Sequence, residues 1–96
     1  MKPSVLLQKY RDQIRQIALR HRVSEIKVFG SVVRGDDHDG SDLDLLVEPT
    51  AETSMFDIGG IQFEVSQLLG IEVDVLTPRA LPESFKATVL AEALPL

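Results

Sequence analysis

Ninety-six residues, 44% hydrophobic and 26% charged, suffice for one small packed domain and leave no length for a separate substrate domain. The absence of cysteine excludes disulfides, thiolate metal sites and cysteine nucleophiles; no apolar run approaches the roughly 20 residues of a membrane span, so a cytoplasmic protein is expected. Within the net charge of −5, residues 1–27 hold seven Lys/Arg and two acids while residues 28–96 hold three Lys/Arg and thirteen acids, and so acidic a body argues against a polynucleotide binder.

The start, Met1-Lys2-Pro3-Ser4, leads into a mixed polar helix rather than an apolar signal segment. Over residues 4–21, Leu6, Tyr10, Ile14, Ile17, Ala18 and His21 recur at spacings of three and four, with Ser4 available as N-cap, which predicts one amphipathic helix. Its polar face carries Lys9, Arg11, Arg15, Arg20 and Arg22, a solvated face or a docking surface for an acidic partner. Glu25-Ile26-Lys27-Val28-Phe29 alternates as a short strand and stops at Gly30-Ser31, after which Ser31-Val32-Val33-Arg34 suits a single helical turn. Residues 35–41 are a loop without apolar side chains.

In Asp42-Leu43-Asp44-Leu45-Leu46-Val47, period two sends Leu43, Leu45 and Val47 to one face of a strand and both aspartates to the other, with Pro49 closing it. Ser54 with Asp57 resembles a capping box, and Ile58, Ile61, Val65, Leu68 and Leu69 follow at helical spacing until Gly70. Gly59-Gly60 weakens that helix. Ile71 to Leu76 alternates again as a third strand, with Glu72 and Asp74 opposite Ile71, Val73 and Val75. Leu81-Pro82-Glu83 opens a last helix whose apolar stripe is Phe85, Val89, Leu90 and Ala93. The sum is one two-layer α/β domain over residues 1–96. Helices on the face of Val28, Leu43, Leu45, Val73 and Val75 leave Asp42, Asp44 and Asp74 together on the other.

Alternate strand residues lie about 6–7 Å apart and point the same way, so Asp42 and Asp44 can reach one ion. Carboxylates that close repel unless a proton or a cation intervenes, and an all-oxygen site suits Mg²⁺ or Mn²⁺ completed by water and phosphate. Asp-x-Asp beside a loop is, by itself, more often a solubilised turn. Gly30-Ser31 adds a glycine that permits close backbone approach, a hydroxyl and free N–H groups, and Arg34 adds a cation. Two rival motifs fail: Gly30-x-x-x-x-Gly35 is followed by Asp36-Asp37 where a P-loop needs Lys-Ser/Thr, and setting Gly40 at the EF-hand glycine leaves Gly35 and Leu46 at ligand positions.

Gly30-Ser31, ten residues, then Asp42-Leu43-Asp44 resembles the signature of the DNA polymerase β nucleotidyltransferase superfamily. Phe29-Gly-Ser-Val-Val-Arg-Gly35 followed by Ser41-Asp-Leu-Asp-Leu45 is similar to its minimal nucleotidyltransferase branch, with Val33 where that branch usually has Ala. The resemblance covers nearly the whole chain and implies an α+β nucleotidyltransferase fold, with a short mixed sheet, helices on one face and the carboxylates on the other. It implies that Gly30 and Ser31 hold the triphosphate of ATP, that Asp42 and Asp44 ligate two Mg²⁺ ions, for which Mn²⁺ can substitute, and that Asp74 completes the triad as ligand or base. The implied partner is a HEPN-domain ribonuclease toxin, silenced by transfer of AMP to a tyrosine hydroxyl, with this chain as antitoxin.

The alternative is a module that binds nucleotide or partner without transfer. Transfer to a small molecule is disfavoured, since relatives with that activity carry a further domain. His38, in the acidic loop, is a solvated residue or a substrate contact, and His21 a helix C-terminal cap. Leu94-Pro95-Leu96 is an apolar ending that packs on the core, a partner or a second copy.

Overall fold

A computed structural model describes residues 1–96. Helices α1 (Pro3–Lys9) and α2 (Arg11–Arg20) lead into strand β1 (Val23–Phe29), a four-residue helix α3 (Ser31–Arg34) and strand β2 (Leu43–Pro49). Helix α4 (Met55–Leu69), strand β3 (Val73–Leu76), a 3₁₀ turn (Pro78–Ala80), helix α5 (Glu83–Glu92) and a two-residue strand β4 (Leu94–Pro95) complete the chain. The sheet order is β3-β2-β1-β4, with β2 parallel to β3 and the other pairings antiparallel, as the mixed α+β architecture expected from the sequence requires.

The first helix departs from the sequence reading in two ways. The first helix is two: the chain bends at Tyr10 (φ −111°, ψ 18°), and Leu6 and Leu7 before the bend, like Ile14, Ile17 and Ala18 after it, are all buried. No Gly or Pro marks this bend, so helical periodicity ran straight across it. Ser4 is not the N-cap, a place taken by Lys2 with no side-chain bond; the Ser4 N–H instead donates to Asp37 Oδ2 at 2.8 Å.

One hydrophobic core joins α1, α2 and α4 to the sheet face carrying Val28, Leu43, Leu45, Val47, Val73 and Val75. The opposite face carries the aspartates at one end. Beside them the face is covered: Phe29, directly across from Asp44, and Leu46 pack with Leu81 and Val89, so α5 roofs part of the face expected to be open. Of the stripe expected on α5 only Val89 is buried, and Phe85 and Leu90 are exposed. Pairing with β4 accounts for the apolar C-terminal residues: Leu94 and Pro95 extend the sheet beside Val28 and Lys27.

Helix α4 begins as its sequence predicted. Ser54 Oγ accepts the Asp57 N–H at 3.3 Å and Asp57 Oδ2 accepts the Ser54 N–H at 2.9 Å, the reciprocal capping box. The same Asp57 faces Nδ1 of His21, the C-cap of α2, whose Nε2 meets Glu64, so the imidazole bridges to α4 instead of capping α2 carbonyls.

That bridge gives the two central glycines of α4 opposite roles. A Cβ on Gly60 would lie 2.5 Å from His21 Cε1, whereas one on Gly59 would meet nothing within 4 Å. Gly59→Ala is therefore expected to raise stability by up to about 1 kcal/mol through helix propensity, while Gly60→Ala loses that gain to the clash with a ring held at both nitrogens. Urea midpoints of the two variants test this; equal gains would mean that the imidazole yields freely.

Candidate functional site

Strand β1 delivers Phe29 opposite Asp44 of β2, and the chain turns immediately at Gly30 (φ 77°, ψ −149°), a conformation natural only to glycine. Ser31 then opens α3, and the Val33 and Arg34 N–H groups donate back to the Gly30 carbonyl at 3.1 and 3.2 Å. The turn lies against Asp44 so closely that a Cβ on Gly30 would stand 2.4 Å from its Oδ2. Strand β3 contributes Asp74, in direct register with Asp44 across the parallel pair. Asp42 sits one residue before β2, and the Leu43 N–H ties that end to β3 by donating to Glu72 O at 3.0 Å.

The loop that carries Asp42 is anchored to α1. Asp37, only 7% exposed, accepts the Ser4 N–H, and the chain's amino group pairs with Asp39 at 2.9 Å. Burial works against the charged form of Asp37, yet the Ser4 backbone and hydroxyl hydrogen bonds outweigh it and hold its carboxyl below the usual range. His38 makes only local contacts, its N–H donating to Ser41 Oγ at 2.9 Å and its Nδ1 standing 2.8 Å from Asp39 O.

Asp44 is the electrostatic centre. Partial burial pushes its carboxyl up to about 6, the charges of Asp74 and then Asp42 push in the same direction, Arg34 opposes them and Glu92 adds to them. A divalent cation answers this crowding. No three carboxylates or imidazoles close a cage of protein groups alone, and none is needed for a Mg²⁺ ion that keeps water and substrate oxygens in its shell. The donor set of two or three carboxylates beside the Gly30 turn thus fits that ion.

Gly30, Ser31, Arg34, Asp42, Asp44 and Asp74 therefore lie together at one end of the sheet. Sequence reasoning missed Glu92. Its Oε1 accepts the Gly30 N–H at 3.0 Å, and Arg34 Nη1 donates to Oε1 and Oε2 at 3.2 and 3.4 Å. The signal was an acid in the last turn of a helix, where the dipole favours cations. The hollows of the molecule lie elsewhere, one of about 210 Å³ between Arg15, Leu19, Ile26 and Leu96.

The sequence model of the nucleotidyltransferase domain matches residues 7–96. A protein of Methanocaldococcus jannaschii provisionally named as a protein adenylyltransferase is 34% identical over 92% of this chain and 95% of its own length. A solved structure described provisionally as a minimal nucleotidyltransferase superposes with a TM-score of 0.85 at 34% identity, covering 97% of this chain and 95% of that one. A toxin–antitoxin structure with AMP-PNP shares the fold, with a TM-score of 0.73 at 19% identity over 88% of this chain and 69% of the other. With a family model spanning almost its entire length and a relative of matching size, the chain belongs to the nucleotidyltransferase domain family.

Proposed function

We propose that this chain is a Mg²⁺-dependent protein adenylyltransferase that transfers AMP from ATP to a tyrosine hydroxyl of a HEPN ribonuclease toxin in the cytoplasm, and so acts as its antitoxin. The observation that carries the reading is the crowding of Asp44 by Asp74, Asp42 and the Gly30 turn, a costly arrangement in the absence of a cation and phosphate. The relative named for adenylyl transfer supports the reaction, and the toxin–antitoxin structure with a nucleotide analogue supports the partner and substrate.

Gly30 and Ser31 hold the triphosphate by backbone N–H and hydroxyl, with Arg34 beside them. Asp42 and Asp44, joined by Asp74, would hold Mg²⁺, which when bound would neutralise phosphate charge and favour ionisation of the acceptor hydroxyl. The acceptor oxygen bonds to the α-phosphorus as the bond to the β-phosphate oxygen breaks. Pyrophosphate leaves with that electron pair, and Asp74 takes the hydroxyl proton if it is not wholly engaged as a metal ligand.

Intact mass spectrometry of the partner toxin, after incubation with Mg²⁺-ATP and this protein, checks the assignment. Gains in whole AMP units with wild type, and none with Asp42→Asn/Asp44→Asn, are expected; an unmodified partner would count against transfer. A second reading, neutralisation of the toxin by binding alone, draws on helix α4, whose outer face exposes Met55, Phe56 and Phe63 without a charged residue among them. Neutralisation by the carboxylate variant would favour it.

A further inference from the structure

Glu92 stands where nothing in the fold requires it. It is the last residue of α5, the end at which a helix disfavours an acid, and it points its carboxylate into a site that already holds three others. Its side chain is nevertheless only 18% exposed and engaged at both oxygens, Oε1 accepting from the Gly30 N–H and Oε1 and Oε2 sharing Arg34 Nη1. An arrangement that breaks a local rule of helix design, with no packing gain of its own, points to a role at the site.

The groups it occupies are the ones assigned above to the triphosphate. One N–H cannot donate fully to a carboxylate and to a phosphate at once, and two anions on one guanidinium repel. The segment that holds Glu92 in place is slight. Beyond it the chain is fixed by the two-residue strand β4, with both residues exposed, by a hydrogen bond of 3.4 Å from Leu96 N–H to Ile26 O, and by the half-buried Leu96 side chain against the main core. The last turn of α5 itself lies outside the main core and is held by Val89 and Ala93 in the smaller cluster, so Glu92 can be displaced by a shift of that turn without opening the core beneath the sheet.

We infer that Glu92 is a latch on the nucleotide site: in the free protein its carboxylate occupies the Gly30 and Arg34 donors, and the triphosphate must displace it to bind. The inference rests on the nucleotide-site reading and adds to it a built-in competitor that sets affinity. A latch closed in about nine molecules of ten weakens apparent binding about tenfold.

Calorimetric titration of wild type, Glu92→Gln and Glu92→Ala with AMP-PNP in Mg²⁺ tests it, with thermal melts confirming that each variant is folded. The expected result is tighter binding in both variants, by about tenfold for Glu92→Ala and by less for Glu92→Gln, whose amide oxygen still accepts from Gly30. Lost structure would weaken binding, so tightening is a sign that a merely structural residue does not give. Unchanged or weaker affinity in the variants, with wild type binding normally, would overturn the latch and leave the site assignment standing. Absence of binding in all three would overturn the site assignment and the latch with it.

Discussion

Asp44→Asn is expected to abolish nucleotidyl transfer and, at the same time, to make the metal-free protein more stable at neutral pH. The activity loss, at least on the order of a hundredfold, follows from removing the carboxylate proposed to hold the metal at the point where Asp42, Asp74 and the Gly30 turn meet. The stability gain follows from linkage. The folded-state value of about 6 lies above the ordinary 3.8, so between these limits the folded protein binds more protons than the unfolded chain. Stability from this group is therefore full below about pH 3.8 and falls as pH rises, the whole cost being present above about pH 6. Unscreened, the cost would approach roughly 3 kcal/mol; for a partly exposed carboxylate about 1 kcal/mol is expected. Urea unfolding in chelator should place the variant above wild type at pH 7, with the gap closing towards pH 4. A variant less stable than wild type at pH 7 would make Asp44 a structural residue, and one that transfers AMP at the wild-type rate would remove it from the site.

The same conflict explains why so much of the site was legible in the sequence. Period-two alternation around Asp42-Leu43-Asp44 and Val73-Asp74-Val75 fixes which side chains share a face, because one face is buried and a one-residue slip would bury the acids. The glycine turn was visible because only Gly30 tolerates its dihedral angles, and the α4 start because a capping box is local. What escaped notice is non-local. The bend at Tyr10 is set by where the core lies and has no breaker residue. Asp37, which looked like one more loop acid, accepts from an N–H 33 residues away, and Glu92 reaches Gly30 across 62. Roofing of the aspartate face by α5 depends on Leu81 and Val89 meeting Phe29 and Leu46, pairings that no periodicity encodes.

Gly30→Ala should be the most damaging of the glycine substitutions, by two independent routes. At φ 77° and ψ −149° the backbone occupies a region essentially restricted to glycine, and an alanine there costs about 1–3 kcal/mol. The added methyl would also meet Asp44 Oδ2 at 2.4 Å, on a short side chain rooted in a central strand, so the carboxylate must rotate away from Asp74 or the turn must lift. Either movement separates the Gly30 turn, proposed above to hold the triphosphate, from the carboxylates. Gly35→Ala is the control: its φ is also 77°, but ψ is 19°, the left-handed helical region, and nothing lies within 4 Å. It should cost about 1–2 kcal/mol while transfer continues. Truncating Asp44 to alanine removes the clash, so the Gly30→Ala penalty should shrink in the Asp44→Ala background by about 0.5–3 kcal/mol, the range of contacting residues. Strict additivity in that cycle, read from urea midpoints, would confine the role of Gly30 to its backbone angles and separate it from the carboxylate it faces.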